Sequence, residues 1–139
     1  MTMSVYKAAE TSGPQPTRPL LCPVAAGWPS PSEDYIEGEL NLHELLVPHP
    51  AATYFLKASG ESMIGAGIHN GDLLVVDRSR EPVSGKVVIA VIEGGLTIKR
   101  LVKRKNKTFL VPENPAFAEI DITGMEDASI WGVVTHVVH

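Results

Sequence analysis

Short apolar runs separated by turn residues fill the sequence from residue 53 to its end. The runs are rich in Val, Ile, Leu, Phe and Thr, residues that favour β-strands. Pairs such as Asn70-Gly71 and Gly94-Gly95 lie between them, and such pairs are typical of tight turns between strands. The pattern predicts a mainly β fold with strands over residues 53–59, 73–77, 86–93, 96–102, 108–111, 118–122 and 130–138.

The N-terminal part of the chain has a different composition. Six of the eleven prolines precede residue 32, so residues 1–34 are predicted to form a flexible, extended arm. The segment "NLHELLVP" then predicts one short helix, with Asn41 as N-cap, Glu44 in the capping-box position and Pro48 as the stop signal. We therefore expect an arm over 1–34 and a β-rich domain with one or two short helices over 35–139.

Length, charge and cysteine content limit the possible classes of function. A chain of 139 residues with 44% hydrophobic residues can form one globular domain with its own core. Its net charge of −4 argues against a dedicated nucleic-acid-binding surface, and we expect no sequence-specific DNA binding. The single cysteine, Cys22, cannot form an internal disulfide and fits a reducing compartment. No apolar run approaches the roughly 18 residues of a membrane span, so we expect a cytoplasmic protein without a membrane anchor.

Two segments leave alternatives open. The basic stretch 103–107 falls between two predicted strands, which indicates an exposed hairpin tip or, alternatively, a contact with a partner. The last predicted strand, 130–138, alternates Ile130 and Val134 with Trp131 and Val133. It could serve as an interface edge or as a core strand.

The segment "KASGESMIGAG" contains a serine, Ser62, between glycines. A serine in such a turn suggests a nucleophile, and a hydroxyl needs a base to take its proton near neutral pH. One candidate base is His69, in a triad with Asp72 or Asp77. The other is Lys99, which would share one face of a strand with Thr97 and Leu101. The spacing alone leaves both bases open.

Several motifs of the chain occur together in a known family. The series "ASGESM", "GDLLVVDRS", "GKVVIAVIEGGLTIKRL", "VPENPAF" and "WGVVTHVV" resembles the self-cleaving Ser/Lys peptidase family of LexA-type repressors and UmuD-type proteins, peptidase S24. The resemblance begins near residue 21 and implies Ser62 as nucleophile and Lys99 as base. It also implies self-cleavage between Ala26 and Gly27. The chain departs from UmuD-type proteins at Ala26, where cysteine is common, and from the family at Phe117, where tyrosine is frequent.

The chemistry of such a dyad sets a condition on the lysine. A normal lysine has a pKa of about 10.4 and is protonated at neutral pH, so burial without a counter-charge must favour the neutral amine. The oxyanion that forms during attack needs fixed donors, and we expect these to be the backbone N–H groups of Ser62 and Met63. No metal ligand and no cofactor are expected.

The resemblance also implies partners. The substrate would be the chain's own N-terminal arm, and the RecA filament on single-stranded DNA would promote the cut during the SOS response. The product, residues 27–139, would form a homodimer and join a UmuC-like Y-family DNA polymerase in translesion synthesis. Three alternatives remain: another Ser/Lys peptidase such as a signal peptidase, a non-cleaving β-rich dimeric polymerase-binding module, and a repressor-type peptidase domain without its DNA-binding domain.

Overall fold

The computed structural model describes residues 5–9 and 40–139, and one antiparallel sheet dominates this part of the chain. The described residues contain eight strands: β1 Val5–Lys7, β2 Thr53–Lys57, β3 Leu73–Asp77, β4 Val87–Ile92, β5 Gly95–Arg104, β6 Lys107–Val111, β7 Ile120–Asp121 and β8 Ala128–Val138. In the sheet these strands follow one another in space in the order β1-β2-β3-β8-β4-β5-β6-β7. The mainly β fold predicted from the sequence is confirmed.

Helical structure in the described residues is short, as the sequence predicts. The α-helix α1 spans Leu42–Leu46, and the Asn41 side chain caps it by accepting a hydrogen bond from the Glu44 backbone N–H at 3.3 Å. Two 3-10 turns follow, over Pro50–Ala52 and Ile64–Ala66. None of these described helices is long and apolar enough to span a bilayer.

Strand β8 is internal to the sheet. It pairs with β3 on one side and with β4 on the other, so its backbone hydrogen bonds are used within the chain. Gly132 allows this packing, because a Cβ atom there would lie 2.6 Å from Cγ1 of Val76. The last predicted strand is therefore a core strand and does not offer an interface edge.

Two hairpins position strand β5. The β4–β5 turn uses Glu93 and Gly94, both with positive φ (50° and 81°), whereas Gly95 already belongs to the strand. The predicted hairpin is therefore present, but its turn lies one residue earlier than the predicted pair Gly94-Gly95. The β5–β6 turn includes Lys105, with φ 55°, so the basic stretch is an exposed hairpin tip as the first reading of the sequence predicted.

The sheet buries apolar side chains on both faces. Successive residues of a strand point to opposite sides, and β4 accordingly contributes Ile89 to one buried cluster and Val88 with Ala90 to another. In β5, Ile98 belongs to the first cluster and Leu101 to the second. Lys99 lies opposite Val88 in the β4–β5 register, on the side of the second cluster.

Strand β1 was not predicted. Residues 5–7 fall within the predicted arm, yet they pair with β2, and the Ala8 backbone N–H donates to Thr53 O at 3.0 Å. The sequence "VYK" contains two strand-favouring residues but is only three residues long, which is too short to indicate a strand from sequence alone. Residues 10–39, which contain Ala26 and Gly27, lie outside the described residues.

Candidate active site

The loop between β2 and β3, residues 58–72, carries Ser62; we call it the Ser62 loop. Its two ends are joined by backbone hydrogen bonds of 2.8 Å, from Ala58 N to Asp72 O and from Gly71 N to Ala58 O. The residue Ser62 is only 5% exposed. The loop therefore holds its serine in a fixed and largely buried position.

Lys99 reaches this loop from strand β5. Its Nζ atom lies 3.0 Å from Ser62 Oγ, 3.0 Å from Thr97 Oγ1 and 3.0 Å from the backbone oxygen of Ile98. Thr97 and Lys99 lie on the same face of β5 because they are two residues apart in a regular strand. The strand that supplies the lysine thus also supplies two of the groups that hold its amine.

A neutral amine can make all three contacts. An uncharged lysine has two N–H donors and one lone pair, whereas the ammonium form has three donors and no acceptor. The backbone oxygen of Ile98 can only accept, and the Thr97 hydroxyl can accept as well. The lone pair can then accept the Ser62 hydroxyl proton. This is the arrangement that a general base needs, with base and nucleophile within hydrogen-bond reach.

The surroundings of Lys99 favour that uncharged form. Lys99 is 6% exposed, and burial lowers the pKa of its amine from the ordinary value of 10.5. Among the described residues, no carboxylate forms an ion pair with Lys99. The Glu113 carboxylate pairs with the Arg100 guanidinium instead, so this charge is already compensated.

The segment that follows β6 supports the Ser62 loop. Glu113 N donates to Ser62 O at 2.8 Å, and Gly65 N donates to Glu113 O at 2.7 Å. The Asn114 side-chain amide donates to Glu61 O at 2.9 Å. Beside these contacts lies an open groove of about 430 Å³, lined by Gly65, Val111, Pro112, Glu113, Asn114, Pro115, Phe117 and Glu119.

The chain is similar to known proteins over most of its length. The family profile described as Peptidase S24-like matches residues 19–135. The chain belongs to this family of S24-like peptidases. This membership confirms the resemblance that the motifs indicated.

Three relatives illustrate the range of the family. The S24-like chain is 46% identical over 142 residues to Protein ImpA of Escherichia coli, covering 100% of this chain and 96% of that protein. It is 49% identical over 114 residues to Protein MucA of Escherichia coli, covering 81% of this chain and 77% of that protein. It is 38% identical over 121 residues to the LexA repressor of Idiomarina loihiensis, covering 86% of this chain and 58% of that protein.

The structure of this S24-like chain joins one of the two base candidates to the serine. Lys99 Nζ is a hydrogen-bond partner of Ser62 Oγ, whereas His69 Nδ1 lies 3.7 Å from Asp72 Oδ2 and the His69 ring packs against His139. The other acid of the alternative triad, Asp77, bonds to a different histidine, His49. The geometry therefore favours the lysine over the histidine as the partner of Ser62.

The remaining predicted site groups have different outcomes. Ala26 and Gly27 lie outside the described residues. Among the described residues, no acceptor bonds the backbone N–H of Ser62 or of Met63, so the two amides stay candidate donors to an oxyanion.

Sequence reasoning did not identify every residue that holds the S24-like site. It placed Thr97 on the face of Lys99 but assigned it no contact, although the two-residue spacing in a strand was the available signal. Glu113 and Asn114 support the Ser62 loop across long sequence separations. The motif "VPENPAF" marked this segment without showing what it contacts.

Proposed function

We propose that this chain is a serine endopeptidase that cuts its own N-terminal arm between Ala26 and Gly27. The observation that carries the proposal is the 3.0 Å contact between Lys99 Nζ and Ser62 Oγ in a buried site without a paired carboxylate. The membership of the peptidase S24-like family and the 38% identity to a LexA repressor support the same reaction class.

The reaction follows from the geometry of the dyad. Lys99 takes the Ser62 hydroxyl proton while Ser62 Oγ attacks the carbonyl carbon of Ala26, and a tetrahedral oxyanion forms. The Lys99 ammonium then gives its proton to the Gly27 nitrogen, and the C–N bond breaks to leave an Ala26 ester on Ser62. Water, deprotonated by Lys99, hydrolyses this ester. The products are the free carboxylate of Ala26, the amine of Gly27 and the original Ser62 hydroxyl.

The backbone N–H groups of Ser62 and Met63 would stabilise the oxyanion. Fixed donors aimed at the developing charge lower the barrier most where water is excluded, and both residues are buried. The hydrogen bond from Glu113 N to Ser62 O holds the peptide group that contains the Met63 N–H. This contact would keep the donor in place during the reaction.

The arm is the substrate that the chain supplies itself. A tether of about 35 residues, from Gly27 to Ser62, gives a high effective concentration, so a slow dyad suffices. The small residues Ala26 and Gly27 suit a narrow site, and an extended peptide can add its backbone to a sheet or groove. The groove beside Gly65 and Glu113 is adjacent to the Ser62 loop and is a suitable place for part of the arm.

We further propose that the cut is regulated and serves DNA-damage tolerance in the cytoplasm. In this account the RecA filament on single-stranded DNA favours the conformer with the arm docked. Residues 27–139 then form a homodimer that works with a UmuC-like Y-family DNA polymerase in SOS translesion synthesis. The similarity over the whole chain to Protein ImpA, and over most of it to Protein MucA, supports assignment to the UmuD-type branch of the family.

The proposal is tested by the intact mass of purified protein after incubation at mildly alkaline pH. We expect slow conversion to a species that begins at Gly27. Ser62→Ala and Lys99→Ala should each abolish the conversion, whereas Lys57→Ala, a control at an exposed strand lysine, should convert like the wild type. Cleavage by Lys99→Ala but not by His69→Ala would overturn the dyad. A stable full-length mass of the wild type, with and without RecA on single-stranded DNA, would favour the non-cleaving binding module.

A further inference from the structure

A cluster of two histidines and one aspartate lies where the Ser62 loop meets strand β3. Asp72 directly precedes β3 and is 7% exposed, His69 lies three residues earlier, and His139 directly follows β8. His139 Nδ1 is 2.8 Å and His69 Nδ1 is 3.7 Å from Asp72 Oδ2. One ligand atom from each of the three residues lies within 4.8 Å of the others.

We propose that His69, Asp72 and His139 bind a divalent transition metal ion of the Zn²⁺ class. Two imidazole nitrogens and a carboxylate oxygen are a ligand set that suits Zn²⁺. Ligands about 2.0–2.2 Å from a tetrahedral ion lie roughly 3.3–3.5 Å from one another. The two observed distances from histidine to Asp72, 2.8 and 3.7 Å, bracket this value. The ligand atoms of the two histidines lie within 4.8 Å of each other, so rotation of the two exposed imidazoles would bring all three ligands to this spacing.

The structure orients the carboxylate and leaves room for a fourth ligand. The backbone N–H of His69 donates to Asp72 Oδ2 at 2.8 Å, a contact that fixes the carboxylate as outer-shell hydrogen bonds do in metal sites. The two histidine side chains are 59% and 65% exposed. Water can therefore complete the coordination, and an ion can enter from solvent.

The position of the cluster gives metal binding a structural consequence. The backbone oxygen of Asp72 accepts from Ala58 N, and Gly71 N donates to Ala58 O, so these bonds close the base of the Ser62 loop. An ion held by His69, Asp72 and His139 would join that base to the end of β8. Asp72 and His139 are 67 residues apart in the sequence. Because of this separation, the sequence shows no short metal-binding motif.

The test measures metal binding directly in the full-length chain without an affinity tag. All variants carry Ser62→Ala to prevent cleavage and Cys22→Ser to remove the only thiol. Co²⁺ serves as the probe, read by its visible absorption, and Zn²⁺ as the competitor that displaces it. Because protons compete with a metal ion for its ligands, all variants are compared at the same pH. We expect one ion per chain.

Variants separate this site from other histidines. Asp72→Asn and His139→Ala should each weaken binding by at least about ten-fold, the loss that even outer-shell substitutions cause in metal sites. His136→Ala, which changes an exposed histidine of β8 near His139, should bind like the parent. Thermal melts without metal identify any variant that fails to fold, and His69→Ala then replaces it. Equal affinity in Asp72→Asn and the parent, or no binding by the parent, would overturn the proposal.

A second readout follows the loop. Zn²⁺ should slow hydrogen exchange at the amides of Ala58 and Gly71 in the parent and in His136→Ala, because the ion stabilises the closed base. The same addition should leave exchange unchanged in Asp72→Asn. Binding without slower exchange at these two amides would overturn the link to the loop. Neither measurement depends on the proposed peptidase activity.

Discussion

Lys99 Nζ is 3.0 Å from Ser62 Oγ and is held by two groups of its own strand, the Thr97 hydroxyl and the Ile98 backbone oxygen. The proposed base is thus positioned by β5, while the proposed nucleophile is positioned by a loop 37 residues away in sequence. Because the amine has all three partners within hydrogen-bond distance, its neutral form is fully satisfied in the buried site. This arrangement leads to three predictions, and the packing of Gly65 against Glu113 leads to a fourth.

The rate of self-cleavage should rise with pH as Lys99 loses its proton. Below the pKa of Lys99 the ammonium has no lone pair and cannot accept the Ser62 proton. Burial lowers this pKa from the ordinary lysine value of 10.5. The rate should therefore level off at a pH below 10.5. Initial rates from intact mass across neutral to strongly alkaline pH measure the profile. A rate that keeps rising up to pH 10.5 before it levels off would contradict the role of burial.

The control for this profile is Lys99→Arg. An arginine side chain keeps its proton throughout the accessible pH range, so this variant should not cleave at any pH. If Lys99→Arg showed the wild-type profile, another group would have to be the titrating base.

Replacing the buried amine with an apolar chain should stabilise the fold near neutral pH. Because the folded-state pKa of Lys99 is lowered, the unfolded state binds more protons than the native state between the two pKa values. The free energy of unfolding therefore rises with pH between the two pKa values. Below the folded-state pKa, Lys99 is charged in both states, and the fold bears the full cost of burying the ammonium. We expect Lys99→Met to raise the melting temperature at pH 7 and the gain to shrink as the pH approaches 10.5.

This comparison needs a background that cannot cut itself. The pair Ser62→Ala and Ser62→Ala/Lys99→Met differs only at the lysine and leaves no serine hydroxyl without its partner. A gain of about 1 kcal/mol would correspond to about 3–5 °C for a domain of this size. A gain that is the same at pH 7 and at pH 10.5 would assign it to packing and not to the charge.

Removing the Thr97 hydroxyl should slow cleavage without unfolding the protein. Thr97→Val keeps the branched shape but removes the oxygen that lies 3.0 Å from Lys99 Nζ. The amine then loses one of the two groups that orient it, and we expect a rate loss of about 3- to 10-fold, the equivalent of one net hydrogen bond. Thr97→Ser retains the hydroxyl and should recover most of the rate. Equal rates for Thr97→Val and wild type would show that Ile98 alone positions the amine.

The sequence predicted the parts of this site that depend on local pattern. Alternation along β5 placed Thr97 and Lys99 on one face, and the Asn41 cap predicted the start of α1. The position of β8 between β3 and β4 was not predictable, because an apolar strand has the same composition at an interface edge and in a core. The hydrogen bond from Glu113 N to Ser62 O was not predictable either. It depends on how distant segments of the chain pack together, and no local sequence pattern indicates it.

The close approach of Gly65 to Glu113 gives the last prediction. A Cβ atom at Gly65 would lie 2.6 Å from the Glu113 backbone oxygen, which cannot rotate away as a side chain could. Gly65→Ala should therefore push the segment after β6 away from the Ser62 loop and weaken the hydrogen bond from Glu113 N to Ser62 O. We expect a loss of about 1–3 kcal/mol in unfolding free energy and a larger proportional loss of cleavage rate.

Gly95→Ala is the matched control for that substitution. Its Cβ would lie 3.6 Å from the nearest heavy atom, the backbone oxygen of Ile92, which is ordinary contact, and the residue has no positive φ. We expect Gly95→Ala to keep both the stability and the rate. Denaturant unfolding and intact-mass kinetics on the two variants measure both quantities. If Gly65→Ala lost stability but kept the wild-type rate, the segment after β6 would support the fold without positioning Ser62.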